Sequence, residues 1–207
     1  MSQFFSIHPE NPQLRLIRRA ADIVRAGGII VYPTDSCYAL GCHIGDKGAM
    51  ERIRAIREVD DRHHLTLVCR DLSELSTYAR VDNSQFRLLK AATPGSYVFI
   101  LEATRELPKR LQHPKRRTIG LRIPDHPVVD ALLSELGEPI LSSTLLLPGD
   151  EMPYTDAAEI RDRLEHQVDL ILDGGSCGIE PSTVVDLTGE VPVLVRAGKG
   201  PLAPLGL

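Results

Sequence analysis

The sequence predicts an α/β fold: a single domain with a twisted, mixed β-sheet, surrounding helices and a concave ligand crevice. Three observations predict it. Short apolar runs such as Ile29–Tyr32, Tyr97–Leu101 and Val168–Leu172 alternate with segments of helical spacing, as expected of sheet and helix layers around one core. Apolar runs near Val184 and Val193 follow each other with no helical segment between them, so the sheet is expected to be mixed. The 207 residues contain no internal repeat, low-complexity tract or clear linker, which sets the count at one domain, long enough to bury a core without staples.

The elements follow in order. Asn11-Pro12 reads as a helix start, with Asn as N-cap and Pro at the first helical position. Leu14, Ile17, Ala21 and Val24 carry the apolar face, and Gly27-Gly28 ends the helix. Strand Ile29–Tyr32 comes next, broken by Pro33 and followed by a polar loop. Asp46 caps a second helix bearing Met50, Ile53 and Ile56, and Leu65–Cys69 is a short strand. Asp82 with Gln85 forms a capping-box pattern ahead of Phe86, Leu88 and Leu89. Pro94-Gly95 turns the chain into strand Tyr97–Leu101, and a polar, basic segment runs from Arg105 to Arg117. Ile119–Ile123 is a strand, Pro127–Leu136 a helix closed by Gly137, and Ile140–Ser143 a strand. Thr155 or Asp156 opens a helix to Leu164, and strands at Val168–Leu172, Thr183–Leu187 and Val193–Arg196 complete the set.

Composition narrows the function classes. A net charge of −4 excludes a general polyanion binder, so any nucleic-acid affinity must come from a local basic face. The absence of Trp, with 4% aromatic residues, argues against an aromatic base-stacking platform. Cys37, Cys42, Cys69 and Cys177 form no CxxC pair, and reduced, partly buried thiols are expected. The N-terminus lacks a basic region followed by an apolar one, and no apolar run approaches the ~20 residues that span a bilayer. The chain reads as cytoplasmic.

The stretch from Ile30 to Cys42, IVYPTDSCYALGC, is the most informative. A strand that ends in proline and then presents hydroxyls and a carboxylate places unpaired polar groups at a sheet edge, where α/β proteins bind ligands; an ordinary strand-to-loop corner is the alternative. Four further segments accompany it: TPGSYVFIL (93–101), TIGLRIPDHP (118–127), EPILSSTLLLPG (138–149), and PSTVVDL with VLVRAGKG (181–187 and 193–200).

Together, over residues 14–200, these segments resemble the YrdC-like family, which includes the threonylcarbamoyl-AMP synthases, and they are most similar to its YciO branch. The resemblance makes 14–200 a YrdC-like domain with 1–13 and 201–207 as terminal extensions. In such synthases threonine captures bicarbonate as a carbamate. The carbamate attacks the α-phosphate of ATP, giving threonylcarbamoyl-AMP and pyrophosphate for modification of a tRNA anticodon-loop adenosine. Catalysis of this kind rests on positioning and electrostatics, with magnesium entering alongside ATP and no stably bound cofactor.

Carried over by position, the resemblance implies a substrate side of Thr34, Tyr38, Arg122 and Ser142. Thr34 would touch threonine through its hydroxyl, Tyr38 would form the adjacent wall, and Arg122 would hold a carboxylate. The implied nucleotide side is Arg57, Gly120, Thr144, Ser182 and Arg196, with Arg57 as the catalytic cation. Taken singly, the arginines could be surface or ion-pair residues, and the hydroxyls could serve turns or caps.

The departures carry as much weight. Where the synthases have Lys-x-Arg, this chain has Arg57-Glu58-Val59; a further basic position is His63, and Ser-x-Asn becomes Thr144-Leu145-Leu146. Losing one charged partner of a transition state costs about 3 kcal/mol, roughly a hundredfold in rate. Several such losses predict a nucleotide-binding protein with at most slow synthase activity; a fully active synthase using Arg57, Arg122 and Arg196 is the alternative.

Lys109, Arg110, Lys115, Arg116 and Arg117 are the candidate contacts for double-stranded, transfer or ribosomal RNA, a partner that the resemblance also suggests; a solvated loop is the alternative. Arg15, Arg18, Arg19 and Arg25 add cations on the first helix. His63-His64 with Cys69 lacks a zinc spacing, no metal site is expected, and no Walker A or GxGxxG loop is present.

Overall fold

The computed structural model describes residues 1–60 and 65–207. Its strands are β1 (Gln3–Ser6), β2 (Ile30–Tyr32), β3 (Ala39–His43), β4 (Thr66–Val68), β5 (Tyr97–Glu102), β6 (Thr118–Arg122), β7 (Ile140–Thr144), β8 (Leu170–Asp173), β9 (Thr183–Asp186) and β10 (Val193–Arg196). Its helices are α1 (Leu14–Arg25), α2 (Lys47–Arg57), α3 (Leu72–Tyr78), α4 (Asn83–Ala92), α5 (Pro127–Leu136) and α6 (Ala157–Leu164). All ten strands join one sheet in the order β1-β8-β2-β3-β7-β4-β6-β5-β9-β10. The sheet is mixed: β1–β8, β2–β8, β4–β6 and β5–β9 pair in parallel and the remaining pairs are antiparallel.

Local sequence signals account for most helix ends. Asp46 accepts from the Ala49 N–H at the start of α2, and Asp82 and Gln85 form a complete capping box on α4. Gly137 closes α5 in the left-handed conformation, φ 72°, which glycine adopts without a Cβ clash. Helix α1 differs from its sequence signal. It starts at Leu14 with Gln13 as N-cap, because His8 Nδ1 takes the Glu10 and Asn11 N–H groups into a turn and Asn11-Pro12 stays outside the helix. Three elements lay outside the sequence reading: β1, within the expected terminal extension, β3, within the expected polar loop, and α3.

Two apolar layers sandwich the sheet. One face packs against α2, α3, α4 and α6 through Met50, Ile53, Leu75, Leu89 and Ile160. The other face is covered by α1 and α5 through Ile17, Ala21, Val24, Val128, Leu132 and Leu133, which meet Ile30, Tyr32, Ala39, Val68 and Ile140. Alternate strand residues share a face, so this second face continues through Ser142, Thr66, Gly120, Ile100 and Val184. There it lines an open crevice.

Candidate functional site

The crevice holds about 590 Å³, within the size range of small-molecule sites. Its floor is made by short side chains in cross-strand register. Ser142 lies opposite Gly41 on β3 and Thr66 on β4, and Thr66 lies opposite Gly120 on β6. A Cβ on Gly120 would stand 3.1 Å from Val98 Cγ1 and fill the floor; one on Gly41 would stand 2.8 Å from the Tyr32 ring. That close approach of the ring places Tyr32 Oη 2.7 Å from Ser142 Oγ, which also donates to the Leu40 carbonyl at 2.9 Å. Burial pushes the Tyr32 hydroxyl up to about 12, so it stays protonated.

Among the described residues four arginines line the crevice: Arg57, Arg116, Arg122 and Arg196. Arg57, the last residue of α2, donates through Nη1 to Ser143 Oγ at 2.6 Å and to the Thr144 carbonyl; burial lowers its pKa. Arg122, at the end of β6, is 7% exposed. Its Nη2 is held by Asp35 Oδ1, by Ser36 Oγ at 2.8 Å and by Thr34 Oγ1 at 3.3 Å. The second carboxylate oxygen of Asp35 accepts from the Asp125 N–H at 3.0 Å. Arg57 Nε and Arg122 Nε are buried without a hydrogen bond.

Arg196 reaches the crevice through an irregularity in β10. Leu194 pairs with Val185 and Arg196 with Val184, so Val195 is an extra residue on the β10 side. A regular strand would place Arg196 opposite Thr183, on the core face; the bulge turns it to the crevice face beside Val184. Its Nη2 donates to the Ser182 carbonyl at 2.8 Å, and burial lowers its pKa.

Of the residues singled out from sequence, Arg57, Gly120, Arg122, Ser142, Thr144, Ser182 and Arg196 meet at this crevice. Thr34 and Tyr38 are not among its lining residues. Thr34 is 4% exposed; its hydroxyl donates to the Cys37 carbonyl at 2.6 Å and accepts from the Ser36 and Cys37 N–H groups, which fixes the loop. Tyr38 is buried in the core with its hydroxyl on the Gly175 carbonyl at 2.6 Å. Ser143 and His113 reach the site without having been assigned to it from sequence; Leu146 lines it at the position of the Ser-x-Asn departure, and Asp35, the carboxylate of the polar loop, braces Arg122. Ser142, Thr66 and Gly120 share the crevice face in cross-strand register, a pattern that becomes readable once strand pairing is known.

The basic segment links β5 to β6 and is anchored by buried Leu107 and Leu111. Arg116 lines the crevice and stands 4.0 Å from Asp186 Oδ2. Lys109, Lys115 and Arg117 are exposed, whereas Arg110 caps the Gly45 carbonyl at 2.7 Å. The arginines of α1 lie on the helix layer away from the crevice, with Arg18 facing Glu135 and Arg25 facing Asp22. His63 and His64 lie outside the described residues. Cys37, Cys42 and Cys69 are buried free thiols, and burial pushes Cys42 up to about 12, too high for a thiolate nucleophile. Among the described residues no cluster of three or more His, Cys, Asp or Glu could hold a metal ion, and no helix is long and apolar enough to cross a membrane.

Fold and site together define a mixed-sheet α/β domain whose uncovered sheet face carries an arginine-lined crevice. The chain belongs to the Sua5/YciO/YrdC family: the family model, described as telomere recombination, matches residues 22–198. It is 61% identical over 204 residues to the protein YciO of Escherichia coli (strain K12), covering 99% of both chains. The crystal structure of Escherichia coli YciO superposes with a TM-score of 0.95 over 99% of this chain and 100% of that one. A threonylcarbamoyl-AMP synthase of Vibrio vulnificus (strain YJ016) is 28% identical over 161 residues, 76% of this chain and 86% of the synthase. The structure of Sua5 from P. abyssi complexed with L-threonine has a TM-score of 0.87 at 26% identity, covering 95% of this chain and 58% of that one. The chain is thus related to the threonylcarbamoyl-AMP synthases and stands nearer to YciO.

Proposed function

We propose that the crevice binds an adenine nucleotide, ATP or AMP, beside a small amino acid such as threonine, and that it makes threonylcarbamoyl-AMP slowly at most. The observation that carries this reading is the convergence of Arg57, Arg122 and Arg196, from three separate elements, on a floor that also offers the hydroxyls of Ser142 and Thr144. Guanidinium groups suit phosphate and carboxylate, and the floor is small enough for a nucleotide backbone to approach. The family relation and the threonine complex of P. abyssi Sua5 support the amino-acid half.

Slow turnover follows from what the cations already hold. Arg57 is engaged by Ser143 and Thr144, Arg122 is neutralised by Asp35, and Leu146 lines the crevice with an apolar side chain. Magnesium would arrive with the triphosphate; Glu151 is the carboxylate among the described lining residues that could meet it. The same crevice opens beside the basic segment through His113 and Arg116, which supports RNA as a partner held through Lys109, Lys115, Arg116 and Arg117.

Pyrophosphate release from ATP with threonine and bicarbonate, measured beside a synthase of the family, tests the reading. Nucleotide binding with turnover at least about a hundredfold slower supports it. Equal turnover establishes the fully active synthase instead, and absence of nucleotide binding removes the crevice from consideration.

A further inference from the structure

The floor of the crevice contains a hydroxyl whose hydrogen is fixed. Ser142 Oγ stands 2.9 Å from the Leu40 carbonyl and 2.7 Å from Tyr32 Oη. A carbonyl only accepts, so the single hydrogen of Ser142 goes to Leu40. Tyr32 is 0% exposed, and burial keeps its hydroxyl protonated. A buried O–H without an acceptor is costly, and Ser142 Oγ supplies one. Donation therefore runs from Tyr32 to Ser142 to Leu40. This occupies the hydrogen and one lone pair of Ser142, and leaves the other lone pair on a residue that lines the crevice. The arrangement needs Gly41, which lies between the two strands' residues on β3: a Cβ there would stand 2.8 Å from the Tyr32 ring that reaches across it.

Resting on the reading of the crevice as a site for a nucleotide beside a small amino acid, we propose that Tyr32 is a positioning residue. Through Ser142 it makes this part of the floor an acceptor, which selects an uncharged ligand O–H or N–H and turns away carboxylate and phosphate oxygens. The arginines do the reverse, since a guanidinium only donates. A bound ligand is thereby oriented, with its anionic groups on Arg57, Arg122 or Arg196 and a neutral donor on Ser142. The donor is uncharged because, among the described residues, Arg57, Arg116, Arg122 and Arg196 line the crevice against one carboxylate, Glu151. Adding the charges that flank the lining, Asp35, Asp186 and Lys199, leaves the balance positive, which disfavours an ammonium on Ser142. The neutral donors that such ligands carry are the side-chain hydroxyl of threonine, the two ribose hydroxyls and the adenine amino group.

Calorimetric titration of the whole chain tests this with analogues that each delete one of those donors: valine against threonine, and 2′-deoxy-AMP, 3′-deoxy-AMP and purine riboside 5′-monophosphate against AMP. One deletion is expected to weaken binding at least about tenfold, because it leaves the Ser142 oxygen without its donor. Ser142→Ala should bring that analogue to within about twofold of its parent compound, since no acceptor is then left unpaired. Tyr32→Phe frees the Ser142 hydroxyl to turn towards the ligand and should narrow the same gap by about threefold. A merely structural Tyr32 would weaken parent compound and analogue together and leave their ratio unchanged. The proposal is overturned if no analogue shows the tenfold loss expected of an unpaired acceptor, or if the gap persists in Ser142→Ala. It is equally overturned if a folded Tyr32→Phe keeps the wild-type ratio; should that variant fail to fold, Ser142→Ala decides. Failure of both threonine and AMP to bind would instead refute the crevice as their site, and the proposal would fall with it.

Discussion

Removing the Asp35 carboxylate should unfold this protein far more readily than removing any surface carboxylate. Its side chain is 10% exposed and that of Arg122 9%, so the pair is almost wholly withdrawn from water. Asp35→Ala would leave the Arg122 guanidinium buried with only the Thr34 and Ser36 hydroxyls, and would strip the Asp125 N–H of its acceptor. Breaking one side of a buried pair costs about 3–5 kcal/mol. For a chain of this size that corresponds to a fall in melting temperature of about 6–20 °C. The control is Asp22→Ala, which breaks the exposed pair with Arg25 and should change stability by less than about 1 kcal/mol. The measurement is urea unfolding of both variants with the m-value monitored, since only a shift in midpoint at constant m reports stability. Replacing both partners, Asp35→Asn with Arg122→Gln, should recover part of the loss by removing the uncompensated charge. Equal stability of Asp35→Ala and Asp22→Ala would refute the argument that Arg122 is desolvated and neutralised.

Other expectations follow from single groups. Burial raises the Tyr32 hydroxyl to about 12, above its unfolded value near 10, so its contribution to stability is complete below about pH 10 and is lost as the pH rises towards 12; Tyr32→Phe should flatten that alkaline limb in urea titrations. His126 is shifted the other way, below its usual value, by burial, and its Nδ1 accepts from the Val128 N–H at the start of α5. Its contribution is therefore present above about pH 6.5 and is lost as the pH falls through the lowered value; His126→Asn should shrink the acid dependence. Restoring the synthase-type groups with Val59→Arg and Leu146→Asn should raise threonine-dependent pyrophosphate release by about tenfold or more, and no rise would show that other positions limit turnover. Neutralising Arg116 and Arg117 together should lower the slope of log affinity for duplex RNA against log salt by about 2, read by filter binding at several salt concentrations.

How much of this was legible beforehand depended on the range of the interactions involved. Helix α5 is spelled out by Pro127 at its first position and Gly137 at its end, and α4 by the Asp82–Gln85 box, because those signals act within a turn of chain. Strand β3 was not legible. The run Ala39–His43 contains a glycine and directly follows a polar loop, and it becomes a strand by pairing with β2 on one side and β7 on the other. Strand β1 likewise exists through its parallel partner β8, more than a hundred and fifty residues away. The basic residues Lys109, Arg110 and Arg116 look alike as letters, yet one is free in solvent, one caps a backbone carbonyl and one lines the crevice.

From its letters the chain determined its class, its family and the residue types of its crevice: the Arg122 and Arg196 strand ends, the Ser142 and Thr144 hydroxyls, the weakened cation pattern at Val59 and His63, and the amide lost at Leu146. These depend on local periodicity and on residue identity. The tertiary structure decided what the groups do to each other. It withdrew Thr34 and Tyr38 into the loop and core, set Asp35 against Arg122 and Asp186 beside Arg116, and used the bulge at Val195 to bring Arg196 onto the crevice face. The reason is that a side chain's charge belongs to the residue, whereas its desolvation and its partner belong to the neighbours that strand register supplies.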